Sequence, residues 1–331
     1  MDTLHLKGAL SPNPRLQPLL DGTIQIPGVE IDWQVGPPGE LHLMNLTDDA
    51  CDIFEFSLST FMITRDRPAE RERLRWTALP IFLTKAFLWL DFYVHVDAGI
   101  DSLADLRGKR VGLPDYQMTA AVWMRIVLKE LYGIEPAEIE WFNSRPPGVS
   151  HGRDVGERLT RGIRLTQARQ AGDLEDKLGR GELDGAYGDS VTIASLSKVD
   201  AVRPLFKPGE ASRVMAEFLR KTGVSPANHV LVVQQRLLDQ HPELASRLYE
   251  AFEQSKQEAY ARARRHAAGY LLFPKEVFAQ QAACFGEDPF PSGLAANRKM
   301  VAMLARASVE EGLLNAMPDI DSLFCEAIGI T

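Results

Sequence analysis

The fold class is indicated by a stretch in the middle of the chain, Gly108-Lys109-Arg110-Val111-Gly112-Leu113-Pro114-Asp115-Tyr116-Gln117-Met118-Thr119-Ala120-Ala121-Val122-Trp123. Its first part, Gly108–Pro114, has the short apolar run of a strand, and a helix is predicted from Thr119 to Leu131. A strand that passes through a short turn into a helix is a building unit of α/β proteins. The helix start is then placed beside a ligand site, with Tyr116 and Gln117 projecting into a cleft.

Segments of the same two kinds alternate along the rest of the chain. Apolar or alternating runs predict strands at Thr3–Leu10, Val29–Val35, Cys51–Phe56, Trp76–Phe82, Leu88–Val96, Ile139–Phe142, Leu183–Tyr187 and Val230–Val233. Helices are predicted at Glu40–Leu46, Leu174–Arg180, Pro242–Ala263 and Lys299–Glu311. The alternation favours an α/β protein with mostly parallel strands.

The order of these segments predicts two α/β lobes. We expect the strand Leu88–Val96 to lead into a second lobe and the chain to return at Ala201–Phe206. Residues 1–94 and 205–331 then form lobe 1, which includes the C-terminal helices, and residues 95–204 form lobe 2. Ligands of such folds bind in the cleft, against the carboxyl ends of strands and the N-termini of helices.

Composition and charge exclude several classes of protein. The 331 residues are 45% hydrophobic and 25% charged, which is typical of globular domains. Lys plus Arg number 37 and Asp plus Glu number 45, and this net charge of −8 argues against nucleic acid as the main partner. The most apolar stretch, Pro80–Val96, is interrupted by Lys85 and Asp91, so no membrane span is predicted.

The N-terminus and the cysteines predict a cytoplasmic protein. Met1–Lys7 lacks the basic and apolar regions of an export signal. Cys51, Cys284 and Cys325 are odd in number and lack C-x-x-C spacing, so we expect free thiols in a reducing compartment. The motifs of phosphate-binding loops, zinc proteases and serine hydrolases are absent from the sequence. We therefore expect no metal and no cofactor.

Two polar segments of the first lobe are candidate ligand contacts. Lys7 lies in the first predicted strand and Arg15 follows it, and such a cation can pair with a ligand carboxylate. The alternative for Arg15 is a solvated loop residue. Ser57 and Ser59 follow the strand Cys51–Phe56, where hydroxyls at a helix start either bind an anion or cap the helix.

Two further candidates lie later in the chain. Tyr116, Gln117 and Thr119 surround the start of the predicted helix, with Thr119 as its N-cap; the alternative is a capped helix with no ligand nearby. His229 precedes the predicted strand Val230–Val233 in a turn-rich segment. Because a histidine pKa lies near neutral pH, His229 is a candidate proton donor, with a structural histidine bonded to the backbone as the alternative.

The order of several motifs resembles that of 4,5-dihydroxyphthalate decarboxylase-like proteins. These motifs are Leu4–Gly8, Pro18–Gly22, Ser57–Ser59, Pro80–Phe82, Ala98–Ile100, Asp105–Gly112, Tyr116–Trp123, Thr222–Gly223 followed by His229, and Glu287–Gly293. The resemblance covers nearly the whole chain, and Tyr116–Trp123 is its most specific part. It implies a two-lobed, type II periplasmic-binding-protein-like fold, with a mixed sheet flanked by helices in each lobe and a hinge between them.

The resemblance also implies non-oxidative loss of CO2 from a hydroxylated aromatic carboxylate such as 4,5-dihydroxyphthalate. A ring carbon must be protonated, and the carboxylates must be held by cations and kept from water. On this resemblance, His229 is the proton donor, Lys85 joins it in the catalytic set, and Arg15 and Lys85 anchor carboxylate. The residues expected to bind hydroxyl or carboxylate oxygens are Ser57, Ser59, Tyr116, Gln117 and Thr119.

One segment departs from the family's pattern. Related proteins carry a run like S-R-x-F-R-H after the Pro-x-Phe strand, where this chain has Thr84-Lys85-Ala86-Phe87-Leu88-Trp89. Lys85 then replaces the first Arg, Leu88 the second and Trp89 the His, so two cationic or titratable groups are lost. We expect Trp89 to contact the substrate in a more apolar, aromatic site. Either the substrate carries fewer carboxylates or the decarboxylase chemistry is lost.

Three functions therefore remain open. The leading hypothesis is a cytoplasmic, cofactor-independent decarboxylase that binds a small aromatic carboxylate, has no nucleic-acid or membrane partner, and is either a monomer or a homodimer. The main alternative is a non-catalytic solute-binding protein of the same fold for a small aromatic or anionic ligand. The third is an enzyme of this fold with other carbon–carbon or hydrolytic chemistry.

Overall fold

The structure is a computed structural model that describes residues 3–87, 90–152, 158–188 and 194–325. Its strands are β1 (Leu4–Leu10), β2 (Val29–Val35), β3 (Ile53–Ser57), β4 (Trp76–Thr84), β5 (Phe92–His95), β6 (Arg110–Leu113), β7 (Glu140–Asn143), β8 (Arg164–Gln167), β9 (Gly185–Tyr187), β10 (Val202–Pro204) and β11 (His229–Gln234). Its α-helices are α1 (Gln17–Leu20), α2 (Pro38–Asp48), α3 (Leu58–Asp66), α4 (Pro68–Arg73), α5 (Thr119–Tyr132), α6 (Asp173–Gly179), α7 (Glu210–Thr222), α8 (Gln235–Gln240), α9 (Leu244–His266), α10 (Pro274–Phe285) and α11 (Leu294–Glu310).

The strands form two sheets, one for each lobe. The first has the order β2-β1-β3-β11-β4 and the second the order β10-β5-β9-β6-β7-β8. The chain passes from the first sheet to the second between Thr84 and Phe92, and it returns between Pro204 and His229. Helix α9 then packs against α1 and β4, while α11 packs against α3 and α5. The residue limits expected for the two lobes stay a prediction.

Both sheets are mixed, as the family resemblance implies, and most of their described strands are parallel, as the alternation predicts, because in each sheet one strand runs against the others. β1 is parallel to β2 and β3, but β11 runs antiparallel to both of its neighbours, β3 and β4. In the second sheet β6 is parallel to β7 and β9, whereas β5 runs antiparallel to β9 and β10. β5 and β11 are the strands by which the chain enters a sheet from the other lobe. Such a strand does not arrive through a βαβ crossover, which is the connection that makes neighbours parallel.

The two central strands of the first sheet are buried along their whole length. β3 reads Ile-Phe-Glu-Phe-Ser and β11 reads His-Val-Leu-Val-Val-Gln, and every residue of both is buried. Strands covered on both faces have near-continuous apolar sequences, and helices pack on both sides of this sheet. The polar residues within these runs, above all Glu55 and His229, are therefore held in an apolar interior.

Two further features describe the molecule as a whole. Among the residues that the structure describes, no helix is both long enough and apolar enough to cross a membrane. The three cysteines, Cys51, Cys284 and Cys325, are free thiols, of which Cys51 is buried.

Candidate active site

A carboxylate and an imidazole face each other on adjacent central strands of the first sheet. Glu55 on β3 is 1% exposed, and its Oε1 lies 2.6 Å from Nδ1 of His229 on β11. Ser11 donates both its backbone N–H, at 2.8 Å, and its hydroxyl to Oε2. The Thr84 hydroxyl donates to Oε1 at 2.7 Å. Both oxygens of the carboxylate are thus occupied by donors.

These contacts fix the protonation state of the carboxylate. Burial raises the pKa of Glu55, but hydrogen bonds from His229, Ser11 and Thr84 outweigh it and lower the pKa to about 2. An ionised carboxylate at Nδ1 orients the imidazole and leaves Nε2 of His229 as the nitrogen that can exchange a proton. This is the arrangement that orients a general acid–base histidine.

Two further histidines from separate segments lie beside this pair. The ring of His42 on α2 lies 4.8 Å from the ring of His229 and 6.0 Å from that of His151, edge to face in both cases. His42 is 3% exposed, and its Nε2 has no hydrogen-bond partner among the described residues. Burial first, and then the neighbouring His229, His151 and Arg145, lower the pKa of His42 well below its usual value. His42 is therefore neutral at neutral pH.

The second lobe brings Arg145 and His151 to this cluster. Asp115, which follows β6, is fully buried; its carboxylate lies 2.9 Å from Arg145 and accepts the backbone N–H of His151 at 3.3 Å. Nε2 of His151 lies 3.0 Å from the carbonyl oxygen of Gly39 at the start of α2. The loop after β7 thus closes onto the first lobe, and it carries two basic side chains to the cleft.

A group of hydroxyls joins the two lobes at the same place. The hydroxyls of Ser57 and Thr119 are 2.9 Å apart, and the Thr119 hydroxyl accepts the backbone N–H of Ser59 at 2.9 Å. The Ser59 hydroxyl donates to the carbonyl of Gln117. Because Ser57 precedes α3 and Thr119 begins α5, two helix N-termini from different lobes converge here, which suits an anionic ligand.

The predicted capping role of Thr119 is wrong. Met118 occupies the N-cap position of α5, Thr119 is the first helical residue, and no side-chain hydrogen bond caps the helix. The alternative of capping by Ser57 or Ser59 is also wrong. Ser57 occupies the N-cap position of α3, but no side-chain hydrogen bond caps this helix. Their hydroxyls bond across the lobes instead, because the lobes meet at these two helix starts.

Two cations lie along the end of β4. The Arg15 guanidinium donates to the carbonyl of Leu83 and stacks 3.6 Å above the ring of Phe290. Lys85 Nζ donates to Asn297 at 2.9 Å. Burial lowers the pKa of both side chains, that of Lys85 to about 8. Lys85 is still mostly protonated at pH 7 and can pair with a ligand carboxylate.

Gln117 is a buried amide without partners. Its side chain is 1% exposed, and neither Oε1 nor Nε2 finds a hydrogen-bond partner among the described residues. It packs against Gly152, where an added Cβ would lie 2.3 Å from its Cδ. Leaving buried polar atoms unpaired costs about 1–3 kcal/mol, so an amide in this state is suited to pair with a ligand.

The other predicted contacts do not gather at the cluster. Tyr116 is buried inside the second lobe, with its ring 3.6 Å below the Arg125 guanidinium and edge-on to Trp141. Lys7 is exposed on β1, where successive side chains point to opposite faces of the sheet, and its backbone N–H binds Asp52. Trp89 lies outside the described residues.

Sequence reasoning missed Glu55, His42, Asp115, Arg145 and His151. For only two of these residues does the local sequence pattern indicate a functional role. Glu55 is the single carboxylate within the apolar strand Ile53–Ser57, and Asp115 follows directly after a strand. The other three lie in segments whose local pattern indicates nothing but a helix or a loop.

A cavity of about 400 Å³ adjoins the cluster. Its lining includes Thr60, whose hydroxyl donates to Ser57 at 3.1 Å, together with Ser150 and His151. A volume of this size falls in the range of small-molecule sites. A second cavity of about 420 Å³ lies elsewhere, between α5 and α11.

The fold defines a protein of the periplasmic-binding-protein-like class, and this one holds a buried carboxylate–imidazole pair where its two lobes meet. The aliphatic sulphonate binding protein SsuA of Escherichia coli shares the fold with a TM-score of 0.56 at 13% identity, over 97% of this chain and 91% of that one. A ligand-binding component of an ABC-type import system from Staphylococcus aureus has a TM-score of 0.55 at 13% identity, over 99% and 98%. The predicted two-lobed fold is confirmed.

Sequence comparison then gives the family. Residues 89–265 match the family described as NMT1/THI5 like. The 4,5-dihydroxyphthalate decarboxylase of Comamonas testosteroni is 30% identical over 95% of this chain and 94% of its own length. The enzyme of that name from Pseudomonas putida is 31% identical over 57% of this chain and 71% of its own length. The chain belongs to the NMT1/THI5-like family and, within it, to the 4,5-dihydroxyphthalate decarboxylase-like proteins.

Proposed function

We propose that this protein is a carboxy-lyase that removes CO2 non-oxidatively from a hydroxylated aromatic carboxylate, with 4,5-dihydroxyphthalate as the leading substrate. The names of the two bacterial relatives support this reaction class. The observation that carries the proposal is the buried Glu55–His229 pair, with 2.6 Å between carboxylate and imidazole, at the place where both lobes contribute polar side chains.

The pair supplies the proton that the reaction needs. Nε2 of the protonated His229 gives its proton to the ring carbon that bears the carboxylate, while Glu55 stabilises the imidazolium through Nδ1. The bond between the ring carbon and the carboxylate carbon then breaks. Its electron pair returns to the ring, CO2 leaves, and His229 takes up a new proton from water.

Cations and hydroxyls hold the substrate during this step. Arg15 and Lys85, which are half-buried beside the end of β4, anchor carboxylate, because a cation with lowered hydration pairs strongly with an anion. Ser57 and Thr119 bind oxygens at the two helix starts. Arg145 of the second lobe, which is paired with Asp115 at 2.9 Å, lies near these groups.

The direct test is release of CO2 by the purified protein from 4,5-dihydroxyphthalate and from a panel of hydroxybenzoates. In deuterated water the product should carry one deuterium at the carbon that lost its carboxylate. Saturable binding by calorimetry without turnover over the whole panel would contradict the proposal and favour a solute-binding protein. The fold shared with SsuA is the observation in favour of that second function.

The same proposal includes a location and an assembly. Three free thiols fit the reducing cytoplasm, and cell fractionation tests this location. Tyr270, Leu272 and Phe273 are 87%, 92% and 66% exposed. So large an exposed apolar segment supports a homodimer, and light scattering on the purified protein tests that assembly.

A further inference from the structure

Arg15 and Lys85 are half-buried cations that form no ion pair with any residue the structure describes. The Arg15 guanidinium donates to the carbonyl of Leu83 and lies 3.6 Å from the centre of the Phe290 ring. Lys85 Nζ donates to the side-chain oxygen of Asn297 at 2.9 Å. All of these partners are neutral. Because a cation withdrawn from water is stabilised by a counter-charge, both side chains are suited to receive an anion from outside the chain.

The carboxylate of this neighbourhood is occupied by other groups. Asp288 lies 2.6 Å from Lys256 Nζ and accepts the Tyr260 hydroxyl at 2.7 Å. It forms no hydrogen bond with Lys85 or Arg15 among the described contacts. The charged groups that act on Lys85 are Asp288, which favours its positive charge, and Lys256 and Arg15, which oppose it. The two cations are thus kept apart from the one carboxylate near them.

Asn297 is held so that its oxygen is presented to Lys85. The residue is 1% exposed, and Nδ2 donates to the carbonyls of Pro291 at 2.9 Å and Gly293 at 2.8 Å. These two bonds determine which end of the amide carries the oxygen. The Gly293 N–H in turn donates to the carbonyl of Pro80 in β4 at 2.7 Å. The acceptor of the ammonium group is therefore tied to the strand that Lys85 follows.

Phe290 is fixed in the same segment. Its N–H donates to Asp288 at 3.0 Å, and its carbonyl accepts Lys256 Nζ at 3.1 Å. The face of an aromatic ring attracts a cation without cancelling its charge, and a neutral amide oxygen does the same. Residues 288–297 therefore place one neutral partner against each cation. Groups that are oriented before a ligand arrives lower the cost of binding it.

We propose that Asn297 and Phe290 are positioning residues of a carboxylate-binding seat formed by Lys85 and Arg15. The inference rests on the proposed function, in which these two cations anchor the substrate carboxylate. Asn297 accepts one of the three ammonium N–H groups of Lys85 and leaves two for the carboxylate. Phe290 orients the guanidinium of Arg15 in the same manner. The motif Glu287–Gly293 then has a role: it supplies the ring and the carbonyls that hold the amide.

The test uses two substitutions that shift the pKa of Lys85 in opposite directions. Asn297→Ser removes the acceptor, while its hydroxyl can still donate to the Gly293 carbonyl one turn earlier, so the pKa should fall below its value of about 8. Asn297→Asp offers a carboxylate and should raise this pKa by about 1–3 units. Nuclear magnetic resonance of protein labelled with ¹³C-lysine measures both midpoints. The Lys85 signal is assigned by its loss in Lys85→Arg.

The same variants should change substrate binding more than turnover. Both should raise KM for 4,5-dihydroxyphthalate at pH 7 by roughly tenfold or more, because a misplaced or neutralised cation loses a charge-assisted hydrogen bond to the carboxylate. We expect little change in kcat, since this contact is made in the ground state and the transition state alike. Phe290→Leu should raise KM by a smaller factor, through Arg15. Ala296→Asp, at an exposed position of α11, is the matched control for added charge and should leave KM unchanged.

The lysine titration separates this inference from the proposed function, because it needs no turnover. A Lys85 midpoint that is the same in wild type and in both variants would overturn the role of Asn297 and leave the decarboxylase standing. So would an unchanged KM in Asn297→Ser, which decides the point by itself should Asn297→Asp fail to fold by circular dichroism. A protein that releases no CO2 but shows the two opposite shifts would contradict the decarboxylase and support Asn297 as the residue that holds Lys85.

Discussion

Two buried ion pairs in this molecule look alike and differ in what they can do. Arg125 on α5 and Glu311 after α11 are 1% and 4% exposed, with 2.7 Å between guanidinium and carboxylate. Glu55 and His229 are 1% and 9% exposed, with 2.6 Å between carboxylate and imidazole. Burial lowers the pKa of Arg125, but Glu311 and the neighbouring Tyr116 outweigh it and raise that pKa, so the pair never exchanges a proton under working conditions.

The difference lies in the cation and in the place. A histidine can gain and lose a proton near neutral pH, and His229 lies beside a second histidine and the hydroxyls that join the lobes. The guanidinium of Arg125 instead lies over Tyr116, and its hydrogen bond to Glu311 links α5 to the residue that follows α11. Burial of an ion pair is thus not enough to indicate a site; a partner that can titrate and a position in the cleft are both needed.

The largest effect should follow from breaking the pair at the cleft. His229→Ala removes the proposed proton donor and should lower kcat by roughly 10²–10⁴-fold. The rate of CO2 release under substrate saturation measures this, with circular dichroism as the check on folding. A loss of less than about tenfold would remove His229 as the general acid.

Breaking the Arg125–Glu311 pair should lower the stability of the folded protein. Glu311→Gln leaves the Arg125 charge buried without its counterion and should lower the free energy of unfolding by about 3–5 kcal/mol. Urea denaturation measures the change. The double variant Arg125→Met with Glu311→Leu is the matched control, because replacing both partners by apolar residues of similar size restores most of the stability. Equal stability of Glu311→Gln and wild type would show that the pair contributes nothing.

Acid should remove the stabilisation that ionised Glu55 contributes to the folded protein. The pKa of Glu55 is lowered from 4.5 to about 2, so the folded state holds fewer protons there than the unfolded chain. This contribution is fully present above about pH 4.5 and is lost as pH falls towards 2. Glu55→Gln should therefore be less stable than wild type at pH 7, and the difference should shrink as pH falls through that window. Denaturant titrations at several pH values would show it, and a difference independent of pH would contradict the assignment.

The smallest effect concerns substrate binding at high pH. The pKa of Lys85 is lowered to about 8 by burial, so its charge is lost as pH rises past 8. If Lys85 anchors a carboxylate, KM should rise by up to about tenfold for each pH unit above that point. Lys85→Arg should remove this dependence, since arginine keeps its charge. A KM for wild type that is flat from pH 7 to 9.5 would exclude Lys85 as an anchor.

Much of the fold follows from local sequence. The predicted helix from Thr119 to Leu131 corresponds to α5, and the apolar runs at Val29–Val35 and Cys51–Phe56 correspond to β2 and β3. Side-chain periodicity reports which residues face the core, and a helix or a strand with one buried side shows this period directly. The family resemblance and the choice of His229 and Gln117 as candidates also came from the sequence.

Only the tertiary structure decided which groups meet. Glu55 and His229 are 174 residues apart and become partners because β11 enters the first sheet antiparallel to β3 in one particular register. His42 and His151 join them from a helix and from a loop of the other lobe. Strand register and lobe closure depend on contacts between distant segments, and local periodicity carries no information about them. The sequence therefore determined the class of protein, whereas long-range packing assembled the carboxylate and the histidines of its cleft.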